Sequence, residues 1–224
     1  MTLHRRLLAT LLCLDVLLIA VTGAFGLARV QGLVAETPEI LHIGRDWSAG
    51  EMLNYVKWAL MVGVLLLAWR RTGLRLHLGL AVFFLLVLAD DSLQLHERGS
   101  APLKETTLLP AQAKFLYGIL VWAVIGAIGV TAVAIGLCDA PRAERDKVRA
   151  GALLFAAVMV FGVLVDIAHG FAAPYSISAG LLNLLEDGGE MVTISILAAY
   201  VVAAYRPAPA GALGRTPAER PRRA

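Results

Sequence analysis

Charge is what this sequence has least of. Asp, Glu, Lys and Arg together make up 17% of its 224 residues, too few to clothe a water-soluble domain, for which about a quarter is usual. Cysteine is nearly absent. Cys13 sits in the first apolar block and Cys138 at the far end of the fourth, so no disulfide framework or CxxC metal pair is on offer. No Walker loop, HExxH, nucleophile elbow or dinucleotide fingerprint occurs. The short alternating segments of a membrane β-barrel are missing as well.

What the sequence does have is hydrocarbon in blocks. Hydrophobic residues make up 58% of the chain and the mean hydropathy is +0.73. Blocks of about 18 or more apolar residues, long enough to cross a bilayer, fall at residues 7–28, 52–69, 76–95, 115–137, 150–169 and 181–205. Lipid offers the backbone no hydrogen-bond partners, so each block is expected to be a helix. The predicted fold class is all-α, a six-helix transmembrane bundle forming a single domain over residues 1–205. The first block is longer than a secretory signal core and is interrupted by Asp15, so it reads as an uncleaved anchor.

Basic residues set the expected orientation. Arg5 and Arg6, then Arg70, Arg71 and Arg75, then Arg142, Arg145, Lys147 and Arg149, and finally five tail arginines occupy alternate connections. An excess of Lys and Arg marks the cytoplasmic side, so both termini are expected in the cytoplasm. For a bacterial chain this means the cytoplasmic (inner) membrane, with residues 29–51, 96–114 and 170–180 outside. The isoelectric point of about 9.1 follows from that bias and calls for no nucleic acid. Residues 206–224 read as a disordered basic tail.

Local signals are few. Ser48 and Glu51 have capping-box spacing at the start of the second span. Thr37 and Pro38 suggest a short interfacial helix over residues 39–44. Gly99 and Pro102 are expected to stop the third span, and Gly170 and Pro174 the fifth. Small residues four apart in the fourth span, Ala123 and Ala127, Ala132 and Gly136, suit close helix packing. Trp47, Trp58 and Trp122 read as interface or packing aromatics.

The exceptional feature is acid inside the hydrocarbon. Counting inward at ~1.5 Å per residue puts Asp90 ~21 Å, Asp166 ~24 Å, and Asn54 and Glu190 ~22 Å from the basic end. Four helices thus place a polar side chain at one depth. Glu51, His96, Glu97, His169, Glu186 and Asp187 form a second tier about one turn further out. At 100° per residue, Asp90, Gln94 and Glu97 share a face while Asp91 and His96 point away, so either Asp90 or Asp91 is expected inward. Asn183, Glu186, Asp187 and Glu190 share a stripe of the last span. Gly188 and Gly189 interrupt that stripe, which implies a close approach by a neighbouring helix or by a bound ion or substrate.

Each charge near the bilayer centre costs roughly 2.5–3.5 kcal/mol, so these carboxylates need basic partners, protons or a metal. Lys57 is expected to pair with Asp15 or Asp90. The other bases are too few. Carboxylates mixed with imidazoles on a bundle interior form the ligand set for Fe, Mn or Zn, and the expected metal ligands are Asp90, His96, Glu97, Asp166, His169, Glu186 and Glu190. Glu51, Asn54, Asp91, Gln94, Asp187 and Lys57 are supporting or alternative positions. His96 and His169 lie near the interface, where a histidine is equally at home as a wet helix-end residue. Haem on these two histidines is disfavoured by the surrounding acids.

Two acids followed by LQLHE, and LLEDGGEM in a later span, resemble a loose group of uncharacterised bacterial multi-pass membrane proteins. In that group an acidic pair precedes a His-Glu and a later span carries paired acids with another Glu four residues on. The matching positions are Asp90, Asp91, His96, Glu97, Glu186, Asp187 and Glu190, with Asp187 standing where a second Glu is expected. The resemblance brings no activity with it. The sequence therefore predicts a membrane protein with an outward-facing metal site acting on a lipid-soluble substrate. Proton- or cation-coupled transport, and a structural or assembly role in a membrane complex, stay open beside it. Nothing in the sequence decides between enzyme and transporter or sets the oligomeric state.

Overall fold

The computed structural model describes residues 2–106, 108, 114–169 and 176–206, without the side chains of residues 115, 166 and 169. The expected basic tail beyond residue 206, and the expected helix stop at Gly170 and Pro174, lie outside the described residues. Helix α1 spans Leu3–Val30, α2 Ala49–Thr72, α3 Arg75–Leu93, α4 Leu95–Lys104 and α5 Phe115–Cys138. Helix α6, Arg142–Met159, runs through a π-helical turn, Val160–Val165, into α7, Asp166–His169, and α8 spans Ile177–Tyr205. Six of these stretches are long and apolar enough to cross a membrane, in the predicted order. Among the described residues there is no strand, and the all-α bundle is as the sequence predicts.

The helices overrun the apolar blocks because a helix need not stop where hydrocarbon does. Arg142 to Arg149 are already helical ahead of the fifth block. Ser48 caps α2, accepting from the Glu51 N–H, and Gly73 ends it in the left-handed conformation that glycine adopts freely. Between α1 and α2 the expected 39–44 helix shrinks to a 3-10 turn at Glu39–Leu41, with Pro38 one residue outside it. The Thr22 hydroxyl donates to the Leu41 carbonyl at 2.6 Å and ties this loop to α1.

Helix α8 is the centre of the bundle, packing on α1, α2 and α6, while α3 joins α2 to α5. More than half of its apolar window is buried (56%), against 6% for α5 and for the Arg142–Val165 span. The core is a column of Trp58, Met61, Leu65, Leu76, Ile194 and Leu197, each at most 1% exposed. Trp58 stacks on Phe84 with ring centroids 5.8 Å apart. Helices α3 and α5 meet backbone to backbone: a Cβ on Gly79 would collide with the Ala132 carbonyl, and one on Gly136 with the Leu76 backbone. The expected packing role of Ala132 and Gly136 is thus realised. Gly189 carries the Phe161 ring and Gly188 the Ile19 side chain, so helices are the close neighbours there.

The third span departs from expectation. It ends at Leu93, and Gln94 takes a left-handed conformation, φ 53° and ψ 44°. Gly99 and Pro102 then lie inside the short helix α4. The break takes hold where Asp90 reaches past Gln94 to hydrogen-bond the first turn of α4.

Replacing Gly79 by Leu should lower stability by about 1–3 kcal/mol through overpacking. Gly63→Ala, a position with open space around it, should be neutral or gain up to about 1 kcal/mol in helix propensity. Thermal unfolding of both variants in one detergent checks the contrast.

Candidate functional site

The innermost polar group is an ion pair. The Lys57 ammonium on α2 donates to Asp15 Oδ1 on α1 at 2.7 Å, to Asn54 Oδ1 at 2.9 Å and to the Met191 carbonyl of α8 at 3.0 Å. Both charged side chains are 0% exposed. The second Asp15 oxygen accepts the Ser195 hydroxyl at 2.6 Å. An ammonium has three protons to donate, and all three find acceptors. Of the two predicted partners for Lys57, the structure selects Asp15. Asn54, expected in the acid tier, belongs to this group.

Asp90 is 2% exposed and accepts twice from one residue, from the His96 backbone N–H at 2.9 Å and from its Nδ1 at 3.0 Å. The angular argument pointing His96 away from Asp90 assumed one unbroken helix. The left-handed Gln94 swings α4 round and brings the two together. Gln94 thus contributes a hinge in the backbone. The bond to Asp90 raises the His96 imidazole above its ordinary value of 6.5, because it favours the charged ring.

Asp91 also turns inward, so the predicted choice between the two acids is not made: its Oδ2 accepts the Trp58 indole N–H at 2.8 Å. Glu51 accepts the Trp47 backbone N–H and the Tyr55 hydroxyl, both at 2.7 Å. On α8 the Asn183 amide donates to Asp187 at 2.6 Å, and Gly44 of the α1–α2 loop lies directly over both side chains. Glu190 lies one turn further in, its carboxylate against Gly162 of the π turn. No described donor reaches that carboxylate, while Asp91, Asp187, Glu186 and Glu51 are all near enough to act on its charge.

The structure therefore brings Glu51, Asp91, Glu186, Asp187 and Glu190 into one acidic cup. It sets Asp90 and His96 beside it as a bonded pair and leaves Glu97 exposed at the rim. Among the described residues no three of His, Cys, Asp and Glu stand close enough to hold a metal ion. Asp166 and His169 lie on α7, which packs on α8, but their side chains are outside the described residues. The sequence reading missed Tyr55, which an i, i+4 spacing from Glu51 offered. It also missed the donor role of Trp58 and the π turn, whose trace in the sequence is only Gly162.

At the other end of the bundle His77, 3% exposed, contacts Thr72 at 2.9 Å and Glu144 at 3.3 Å. Lys147 binds Glu144 at 2.7 Å and lies over the Tyr205 ring. Between this cluster and the Lys57 pair stands the apolar column of Met61, Leu65, Ile194 and Leu197.

Two outcomes follow from these bonds. Asp15→Ala strands a buried ammonium and should cost roughly 3–5 kcal/mol, whereas Asp15→Leu combined with Lys57→Met should be less destabilised than the single variant; a double-mutant cycle by thermal unfolding measures it. The Asp90–His96 bond should contribute in full below pH 6.5 and fade as pH rises through the raised imidazole value. An NMR titration of His96 should show that raised midpoint falling back in Asp90→Asn.

No curated protein and no solved structure matches the chain. A family match is nevertheless present over almost the whole bundle. Residues 7–204 match the family described as Domain of unknown function (DUF8692), and the chain belongs to that family.

Proposed function

We propose that this chain is a multi-pass protein of a bacterial cytoplasmic membrane, with both termini inside, whose acidic cup binds a cation at the outer face. The ion it is built for is a divalent or transition metal, Fe, Mn or Zn. Glu190 is the central ligand, and the set is completed by the predicted ligands Asp166 and His169 of α7, whose side chains lie outside the described residues. The observation that carries the reading is the Glu190 carboxylate, without a described donor, pressed against a π turn and surrounded by four further acids. Such a group needs a proton or a cation to be tolerated, and π turns often mark functional sites. Asp90 and His96, bonded to each other, act as a wall of the cup in this reading. A metal held there would serve as a Lewis acid or lower the pKa of a bound water, toward a lipid-soluble substrate.

One observation favours a second reading, proton- or cation-coupled transport. Lys57 lies within electrostatic reach of Glu190 and passes by direct bonds to Asp15 and Ser195. The polar path therefore continues from the cup to a buried ion pair.

Metal analysis of the full chain purified without chelator should find about one bound ion per chain. Glu190→Gln should lose it and Glu97→Gln keep it. Metal-free protein that carries protons or cations in liposomes would replace the first reading by the second. Absence of both metal and flux would overturn both.

A further inference from the structure

Helix α5 packs on α3 and α4, and α6 packs on α8. The space between these two groups is a cavity of about 620 Å³, within the range of sites that hold small molecules. Its walls are almost wholly hydrocarbon and aromatic, with Phe83, Phe84 and Phe155 in contact on one side and Gly126 on the other. Val130 in its wall is 60% exposed, so the cavity opens sideways where a span faces lipid. Polar groups occur only toward its ends: Asp90 at one, and Lys147, Tyr200 and Tyr205 at the other. Asp90 is already committed to His96. The Lys147 ammonium has one described carboxylate partner, Glu144, and donors to spare.

We propose that this cavity is a binding site for an anionic phospholipid, one acyl chain lying between α3, α5 and α6 and the phosphate at Lys147. Its Lys147 end lies toward the two connections that carry Arg70, Arg71, Arg75, Arg142, Arg145 and Arg149, which Arg75 and Asp139 bring together. Basic residues at one membrane face draw anionic headgroups, and basic pockets between spans hold them. Tyr200 and Tyr205 suit the boundary between chain and headgroup. In the cavity floor, Gly126 leaves the chain its room: a Cβ there would meet nothing within 4 Å. The cavity meets the acidic cup only at Asp90 and holds the phosphate at its other end, at Lys147, so chelator should not affect it.

The test is thermal unfolding of the full chain in detergent doped with phosphatidylglycerol or with phosphatidylcholine. Phosphatidylglycerol should raise the midpoint at concentrations about tenfold lower than phosphatidylcholine does. Gly126→Phe, which puts a ring into the cavity from a position with room for its Cβ, should abolish the shift for both lipids, and Ala123→Leu should weaken it. Lys147→Gln should keep the response but lose the preference for the anionic lipid. A phosphatidylglycerol with chains of a few carbons should give no shift. Equal response of the unaltered protein to both lipids, an undiminished response in both cavity variants, or a full response to the short-chain lipid would each overturn the proposal.

Discussion

The buried ammonium of Lys57 constrains this bundle more than any other group. A charge in hydrocarbon is tolerated only when its hydrogen-bonding capacity is met, and Lys57 meets it with groups from three helices: Asp15 of α1, Asn54 of its own α2 and the Met191 carbonyl of α8. Sliding α1 or α2 by a turn would part the ammonium from the Asp15 carboxylate, and sliding α8 would remove an acceptor from the one and a donor from the other. Apolar packing gives weaker direction, because lipid tails are as apolar as the side chains they compete with. Helix α1 illustrates the point, since only 17% of its apolar window is buried. Its position therefore rests heavily on Asp15 and on the Thr22 bond to the loop above.

The features legible in the sequence are those that lipid imposes. Six spans could be read because an apolar block in a bilayer has no choice but to be helical, and the Lys57 pairing because an unpaired charge there is untenable. The Gly188 and Gly189 approach was legible for a related reason, since two glycines in a buried stripe imply a neighbour. The Gln94 break was not. A non-glycine residue in the left-handed conformation leaves no mark in composition, and the bond stabilising it joins residues six apart across the discontinuity. Every angle projected past Gln94 was therefore wrong, which is why His96 was sent away from the acid it binds. The π turn behaves likewise, since a widened helical turn leaves no periodicity of its own in an apolar block.

The acids divide by what they meet. Asp15 has a cationic partner on another helix, Asp90 a ring partner six residues on, and Asp91 and Glu51 have aromatic donors from α2. The bonds of Asp15, Asp90 and Asp91 join one helix to another, that of Glu51 stays at the head of α2, and together they account for four carboxylates without invoking any ligand. The α8 stripe differs, because its charges crowd one helix and Glu190 faces a π turn rather than a donor. A binding function, if it resides anywhere in the cup, is concentrated on α8 and on α7 beside it. Asp90 and His96 then shape the wall in place of the ligand role expected of them.

The vertical order of polar and dry layers limits what such a cup can do. Above the Lys57 pair the side chains are polar and partly exposed. Below it Met61, Leu65, Ile194 and Leu197 are each 0% exposed, and polar groups resume only at His77 and Glu144. Toward the loop end Glu190 is followed by Asp187 and Asn183, both polar and partly exposed, whereas an ion leaving toward His77 must part side chains that are fully buried. Binding from one side is thus available to the bundle as it stands, and transport requires a second arrangement of α2 and α8. That rearrangement would have to break or carry along the three-helix Lys57 bond, so the interaction that sets the helix register is also the barrier that any transport cycle has to cross.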